Sequence, residues 1–171
     1  MLFYIFAALF LILLLLLWQS SNLISAIFGA PPVMTEHEVI ITALKLAKIK
    51  KGDIFYDLGC GNGQVLIEAA KMGAKATGFE ISPYYYLLSK WRTAKYQNIK
   101  VRYQNIVQVD LSKAEVVYCY LLPKILKKLS PKFRRELEPG NRLISIGFPI
   151  KNLKKSRIFH FNNRLIYFYK S

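Results

Sequence analysis

Charge is missing from the start of this chain: no charged residue occurs before Glu36, and Met1 through Trp18 are apolar or aromatic throughout. A run so uniform excludes a solvated surface segment and reads as one transmembrane helix. At about 1.5 Å per residue, Leu2 to about Leu23 would cross the roughly 30 Å hydrocarbon core. A cleaved signal peptide is the alternative, but the run lacks a basic leader and an A-x-A site, and it exceeds the usual apolar region of about 7–15 residues. Trp18 suits an interfacial anchor. Cysteine is scarce as well. Cys60 and Cys119 are too few for a disulfide framework and read as reduced, core-type residues. Repeats and low-complexity segments are absent beyond the leucine run, and no acid/base dyad or metal-ligand cluster stands out.

Acidic residues are few: 10 Asp+Glu against 25 Lys+Arg, all beyond residue 35, so the net charge of +15 belongs to the part after the apolar helix. The positive-inside tendency then puts the amino terminus outside and the globular part in the cytoplasm. The basic excess gathers at Lys124, Lys127, Lys128, Lys132, Arg134 and Arg135, and again at Lys151, Lys154, Lys155 and Arg157. Attraction of a tethered domain to anionic lipid is one explanation, at about 1 kcal/mol per basic residue near the surface. Nucleic-acid binding and a plain solvated lysine surface are the others.

The most informative run is Asp57-Leu58-Gly59-Cys60-Gly61-Asn62-Gly63, followed 17 positions after its last glycine by Glu80. Asp53–Tyr56 before it reads as a buried strand, and Gln64–Met72 after it as a helix closed by Gly73, so the glycines occupy a strand-to-helix turn. Glycines there let a ligand approach backbone N–H groups, and the following helix adds unpaired donors. A second strand, Lys75–Glu80, ends in a carboxylate suited to both hydroxyls of a ribose. Nicotinamide and flavin folds use GxGxxG. Here the spacing is GxGxG led by Asp57, a carboxylate that would repel phosphates but suits the ammonium and sulfonium end of S-adenosylmethionine. The stretch resembles motif I of the class I S-adenosylmethionine-dependent methyltransferases, and Glu80 resembles their ribose-binding acid.

Other elements follow from local signals. Pro31-Pro32 makes 29–35 a linker. Thr35-Glu36-His37-Glu38 reads as a capping box with Thr35 as N-cap, opening a helix that ends near Lys50-Lys51-Gly52, with His37 a surface residue. Ser82-Pro83 starts another helix, one of whose early aromatics would pack on the adenosine. A third strand spans Ile99–Tyr103, and Asn105 after it would meet the adenine edge. A fourth strand over Glu115–Tyr120 ends at Leu121-Leu122-Pro123, so Tyr120 to Pro123 should border the transferred methyl. Methyltransferases acting on planar amino groups generally carry [D/N]PP[F/Y] at this place, and this chain has YLLP. Helical segments over Pro123–Leu129 and Lys132–Leu137 are expected to break at Pro131, then comes a strand over Arg142–Gly147. The aromatic runs Ser156–Phe161 and Arg164–Tyr169, joined by Asn162-Asn163, predict an antiparallel hairpin with a type I′ turn.

Together with PPVMT, GFEIS, VVYCYLLP and LSPKFRRELEPGNRLISIGFP, these motifs are similar to a small family of membrane-anchored protein-lysine methyltransferases over roughly residues 29–150. That family includes the mitochondrial enzymes acting on the c-ring protein of ATP synthase and on the adenine nucleotide translocase, with short prokaryotic relatives. Its members tend to have an acid where this chain has Asn105. The resemblance implies a Rossmann-like α/β sheet, mostly parallel with a C-terminal antiparallel hairpin, preceded by one transmembrane helix. The organisation expected is a transmembrane helix over 1–28, a linker over 29–35 and a methyltransferase domain over 36–171. The implied cofactor is S-adenosylmethionine, held by Asp57, Gly59, Gly61, Gly63, Glu80 and Asn105, with Tyr120 and Thr35 orienting the acceptor amine. The expected partners are the lipid bilayer and a membrane-protein substrate, with no nucleic acid and no metal. A membrane-dissolved lipid or quinone acceptor, or a non-catalytic binding module, are the competing readings.

Overall fold

The computed structural model describes residues 1–28 and 35–170, apart from the side chains of residues 22 and 24–28. The expected linker over 29–35 therefore lies outside the described residues except for Thr35. Seven strands form one sheet: β1 (Ile54–Leu58), β2 (Lys75–Glu80), β3 (Ile99–Tyr103), β4 (Val116–Cys119), β5 (Arg142–Ile146), β6 (Arg157–Phe161) and β7 (Arg164–Lys170). Their order is β3-β2-β1-β4-β5-β7-β6. The first five strands pair with one another in parallel, and β7 runs antiparallel to both β5 and β6. Chain order reverses between β1 and β4, which opens a crevice outside the carboxyl ends of those strands.

The helices are α1 (Leu2–Phe28), α2 (His37–Leu46), α3 (Gln64–Lys71), α4 (Pro83–Thr93) and α5 (Pro123–Glu136). Alternate strand residues serve two cores. Phe55, Tyr118 and Ile144 pack with Val39, Ile40 and Leu66 on one face. Leu58, Val117 and Leu143 pack with Leu126, Leu129 and Phe133 on the other.

Several elements stand where local signals put them. β2 and β3 keep the expected bounds, and α4 has Ser82 as N-cap, its Oγ accepting from Tyr85 N–H at 3.4 Å, with Pro83 in the first turn. The hairpin turns at Asn162 and Asn163, whose φ values of 44° and 58° are the left-handed pair that a type I′ turn requires.

Three expectations are corrected. α2 starts at His37 with Glu36 as its N-cap and no side-chain cap, so the capping box at Thr35 does not form; the Thr35 side chain is directed toward Tyr118 instead. The same helix stops at Leu46, short of Gly52, because Arg142 Nη1 donates to the carbonyls of Ala47 at 3.0 Å and Lys48 at 2.8 Å, and Lys48 turns left-handed with φ 52°. A remote guanidinium thus supplies the stop that was expected of the glycine. Lastly, α5 runs through Pro131 unbroken. A proline inside a helix costs about 3 kcal/mol, and burial of Leu126, Leu129, Ser130 and Phe133 along one side of the helix offsets it.

α1 stands apart from the rest. Residues 1–16 are all exposed, and contact with the domain begins near Leu17 and is complete at Ser21, which is 2% exposed. Tyr84 N–H, at the start of α4, donates to Ser21 Oγ at 3.0 Å. The segment Leu2–Ser21 has a mean hydropathy of 2.5 and is long and apolar enough to cross a membrane.

Candidate active site

β1 delivers Asp57 to the crevice, and the glycine turn then folds back over the end of β2. The N–H groups of Gly59 and Cys60 both donate to the Phe79 carbonyl, at 2.9 and 3.1 Å. This bend requires positive φ at Gly59 (83°) and Gly61 (51°), conformations that glycine adopts without strain. An added Cβ on Gly61 would meet nothing within 4 Å among the described residues, which leave the space over this part of the turn open. Gly63 differs: a Cβ there would lie 2.6 Å from Ser89 Oγ and 3.1 Å from Thr93 Cγ2. The third glycine lets α3 pack on α4, whereas the second leaves room for a ligand.

Glu80 closes the turn from the other side. Its Oε2 accepts from Gly61 N–H at 2.9 Å, and its Oε1 accepts from Ile81 N–H at 2.9 Å and Ser82 N–H at 2.8 Å. A carboxylate has about four lone-pair sites, so one remains on Oε2. Accepting from both ribose hydroxyls therefore means that a ligand takes over the place of Gly61 N–H. Burial, and after it the charges of Tyr84 and Glu80, push the Tyr85 hydroxyl up, which makes Tyr85 the early α4 aromatic beside this carboxylate.

Asp57 is 2% exposed, and its Oδ2 has no hydrogen-bond partner among the described residues. Burial first, and then the charge of Glu80, push its carboxyl well above the usual range. The same causes raise the Cys60 thiol: burial leads, then Asp57 and Glu80, so Cys60 stays a protonated, unreactive neighbour. Asp57 and Glu80 therefore face one crevice. A buried carboxyl with an unpartnered oxygen is stabilised in its charged form by a ligand that brings cationic donors.

The β4 side completes the crevice. The strand register sets Tyr118 beside Asp57. Among the described residues the buried Tyr118 hydroxyl also has no hydrogen-bond partner of good geometry, although Thr35 is near enough to pull against the upward shift that burial and Asp57 impose. Two residues on, Tyr120 leaves the sheet, and its hydroxyl accepts from Arg164 Nη1 at 2.8 Å. Gly147 makes room for this ring: a Cβ there would lie 3.0 Å from Tyr120 Cε2.

The structure thus brings Asp57, Gly59, Gly61, Glu80, Thr35 and Tyr120 to the carboxyl ends of β1, β2 and β4. Gly63 serves packing. Asn105 sits just beyond β3, where its Oδ1 accepts from Val107 N–H at 3.0 Å and caps a 3-10 turn. The adenine contact expected of Asn105 is left to its amide nitrogen. Tyr118 and Arg164 escaped the sequence reading. The alignment of VVYC against FYDL would have signalled Tyr118, but nothing local announces Arg164, which meets Tyr120 only through the β5-β7 pairing.

These residues fit S-adenosylmethionine: Asp57 would take its cationic end, Glu80 the ribose, and Gly61 the space between. The family model for the ANTKMT methyltransferase domain matches residues 57–157. A protein-lysine N-methyltransferase of Saccharolobus islandicus is 33% identical over 148 residues, covering 81% of this chain and 92% of that protein. The human lysine N-methyltransferase named for an ATP synthase component is 30% identical over 70% of this chain, which spans 52% of that relative. An RNA methyltransferase structure from Salinibacter ruber in complex with S-adenosyl-L-homocysteine superposes with a TM-score of 0.78 at 30% identity, covering 81% of this chain and 93% of that one. With this sheet order, an acid-led glycine turn and these matches, the chain belongs to the ANTKMT methyltransferase-domain family and is an S-adenosylmethionine-dependent methyltransferase.

Proposed function

We propose that the chain is a membrane-anchored protein-lysine N-methyltransferase, with α1 spanning the bilayer as one transmembrane helix over residues 1–28, the catalytic domain over 36–171 on the cytoplasmic side, and a membrane protein as substrate. The observation that carries the lysine reading is the match to the Saccharolobus protein along nearly its whole length. The anchor reading rests on α1, whose apolar residues 2–16 are all exposed and pack on nothing else in the chain that is described.

S-adenosylmethionine supplies an activated methyl group whose leaving group is a neutral thioether, so the protein's task is to align a nucleophile in line at roughly 3–3.5 Å. The acceptor must arrive as a neutral amine. Arg164, held on the Tyr120 hydroxyl, sets a positive charge beside the acceptor route, which disfavours an ammonium there and lowers the amine's pKa. Tyr120 keeps a free lone pair to accept an amine hydrogen, and Thr35 adds a hydroxyl from the segment before α2. Asp57, Gly59, Gly61 and Glu80 hold the donor, and Asn105 borders the adenine.

Radiolabelled S-adenosylmethionine given to native membranes with the full chain tests this reading. Label on protein, recovered as methyl-lysine after hydrolysis, is expected. Label extracted into organic solvent would replace the lysine acceptor with a lipid or quinone, and label in nucleic acid would replace it with RNA, the substrate class named for the Salinibacter relative.

A further inference from the structure

We infer that the outer face of α4 rests in the interface of the bilayer, beside the point where α1 emerges, so that the cofactor crevice opens at the membrane surface. Tyr84, Leu87 and Trp91 recur at helical spacing and are 37%, 53% and 77% exposed. Ser89 and Thr93, on the opposite side of α4, are buried. Aromatic rings exposed in a row are what a membrane interface accepts, because a ring body enters the acyl boundary while its polar edge stays hydrated.

The identity of the surface that covers this face comes from α1. Its apolar window ends at Ser21, and Ser21 Oγ is bonded to Tyr84 N–H at 3.0 Å. If the window lies in hydrocarbon, its end marks the bilayer boundary, and the first turn of α4 is fixed at that boundary. Charge agrees: between Glu80 and Asp110 the chain has Lys90, Arg92, Lys95, Lys100 and Arg102 and no acidic residue. An apolar stripe with a wholly basic surround matches anionic phospholipid better than nucleic acid, whose bases could stack on Tyr84 and Trp91 but offer the aliphatic Leu87 between them no hydrocarbon to enter. Because Glu80 ends three residues before α4 begins, the donor's ribose end lies close to the headgroups. The acceptor lysine is then one that a membrane protein presents at its membrane boundary, not on a distant soluble domain.

This inference rests on the anchor reading, and the experiment separates the two. Full-length chain carrying Trp18→Phe, which leaves Trp91 as sole tryptophan, is reconstituted in vesicles of phosphatidylcholine and phosphatidylglycerol with a nitroxide near the acyl carbonyls. Trp91 fluorescence should be quenched by the lipid label. Aqueous iodide should quench it about threefold less than in the same protein with Leu87→Glu added. Cofactor affinity by calorimetry should be unchanged by Leu87→Glu, showing that the domain remains folded. Alkaline carbonate extraction of native membranes reads α1 separately. Protein retained in the membrane pellet with Trp91 open to iodide would overturn the α4 contact alone, and protein released into the supernatant with Trp91 unquenched would overturn both. Shielding of Trp91 by structured RNA but not by vesicles would also overturn it, assigning the face to nucleic acid.

Discussion

The tips of β1 and β2 and the tip of β4 meet at one crevice but are built by different means. At the donor end, main-chain N–H groups do the holding: Gly61, Ile81 and Ser82 fix Glu80, and the Phe79 carbonyl fixes the glycine turn. At the acceptor end, side chains do it, as Arg164 holds Tyr120 across 44 positions and Thr35 approaches Tyr118 from the segment before α2. Main-chain contacts demand glycine and a carboxylate at set positions, whereas side-chain contacts leave the acceptor end free to differ among substrates. The donor end should therefore fail in cofactor affinity, and the acceptor end in turnover.

The largest expected effect is at the donor end. Glu80→Gln sets an amide NH2 against at least one of the N–H groups that Glu80 accepts from, and a lost hydrogen bond to a charged group costs about 1.5–3 kcal/mol. Cofactor affinity, read by calorimetry, should fall roughly 10- to 100-fold. Asp57→Asn should weaken binding comparably while the free protein gains thermal stability, since a buried, unpartnered carboxylate is removed. A loss of stability in Asp57→Asn would show that Asp57 supports the fold and does not await a cation.

Next, the two glycines should separate. Gly63→Ala adds a methyl group pressed on Ser89 and Thr93 to the strain of its own left-handed backbone (φ 78°), and should destabilise the domain by about 2–5 kcal/mol, read by thermal unfolding. Gly61→Ala meets open space and should cost only the strain of its left-handed backbone, about 1–2 kcal/mol, with its main effect on cofactor affinity. Equal stability losses in both would erase the distinction between packing and ligand room.

At the acceptor end, Tyr120→Phe should lower turnover on an identified substrate about tenfold with cofactor affinity unchanged, and Arg164→Leu should shift the rising limb of the pH-rate profile to higher pH as the acceptor amine regains its proton more readily. Unchanged turnover in Tyr120→Phe would remove Tyr120 from amine orientation.

This division also explains how much was legible in the sequence. The strand-turn-helix around Asp57, the terminal acid of β2, the Ser82 cap and the Asn162-Asn163 turn are set by residues a few positions apart, and local chemistry specifies them. The α2 stop and the course of α5 are not local. Arg142 reaches the α2 carbonyls from β5, and burial of Leu126, Leu129 and Phe133 overrides the helix-breaking tendency of Pro131. Of the crevice, Asp57, Glu80 and Tyr120 were visible as strand ends. Tyr118 required the β1-β4 register, and Arg164 required the full strand order, which no spacing between motifs encodes.

The smallest effect is a proton. Because the Asp57 carboxyl is raised above its unfolded value of 3.8, the native free protein binds more protons than the unfolded chain between that value and the raised one. Stability of the free protein should then fall as pH rises through this window, the reverse of an acid held by a salt bridge. A cationic ligand at Asp57 restores the charged form, so cofactor affinity should rise with pH through the same window and binding should release up to one proton. Calorimetry below about pH 6.5, where an α-amino group with a pKa near 7.7 keeps its charge, in two buffers of different ionisation enthalpy, measures that release. Asp57→Asn should abolish it. If the release persists in Asp57→Asn, the titrating group lies elsewhere, and the donor end would no longer differ from the acceptor end in holding the cation on a buried acid.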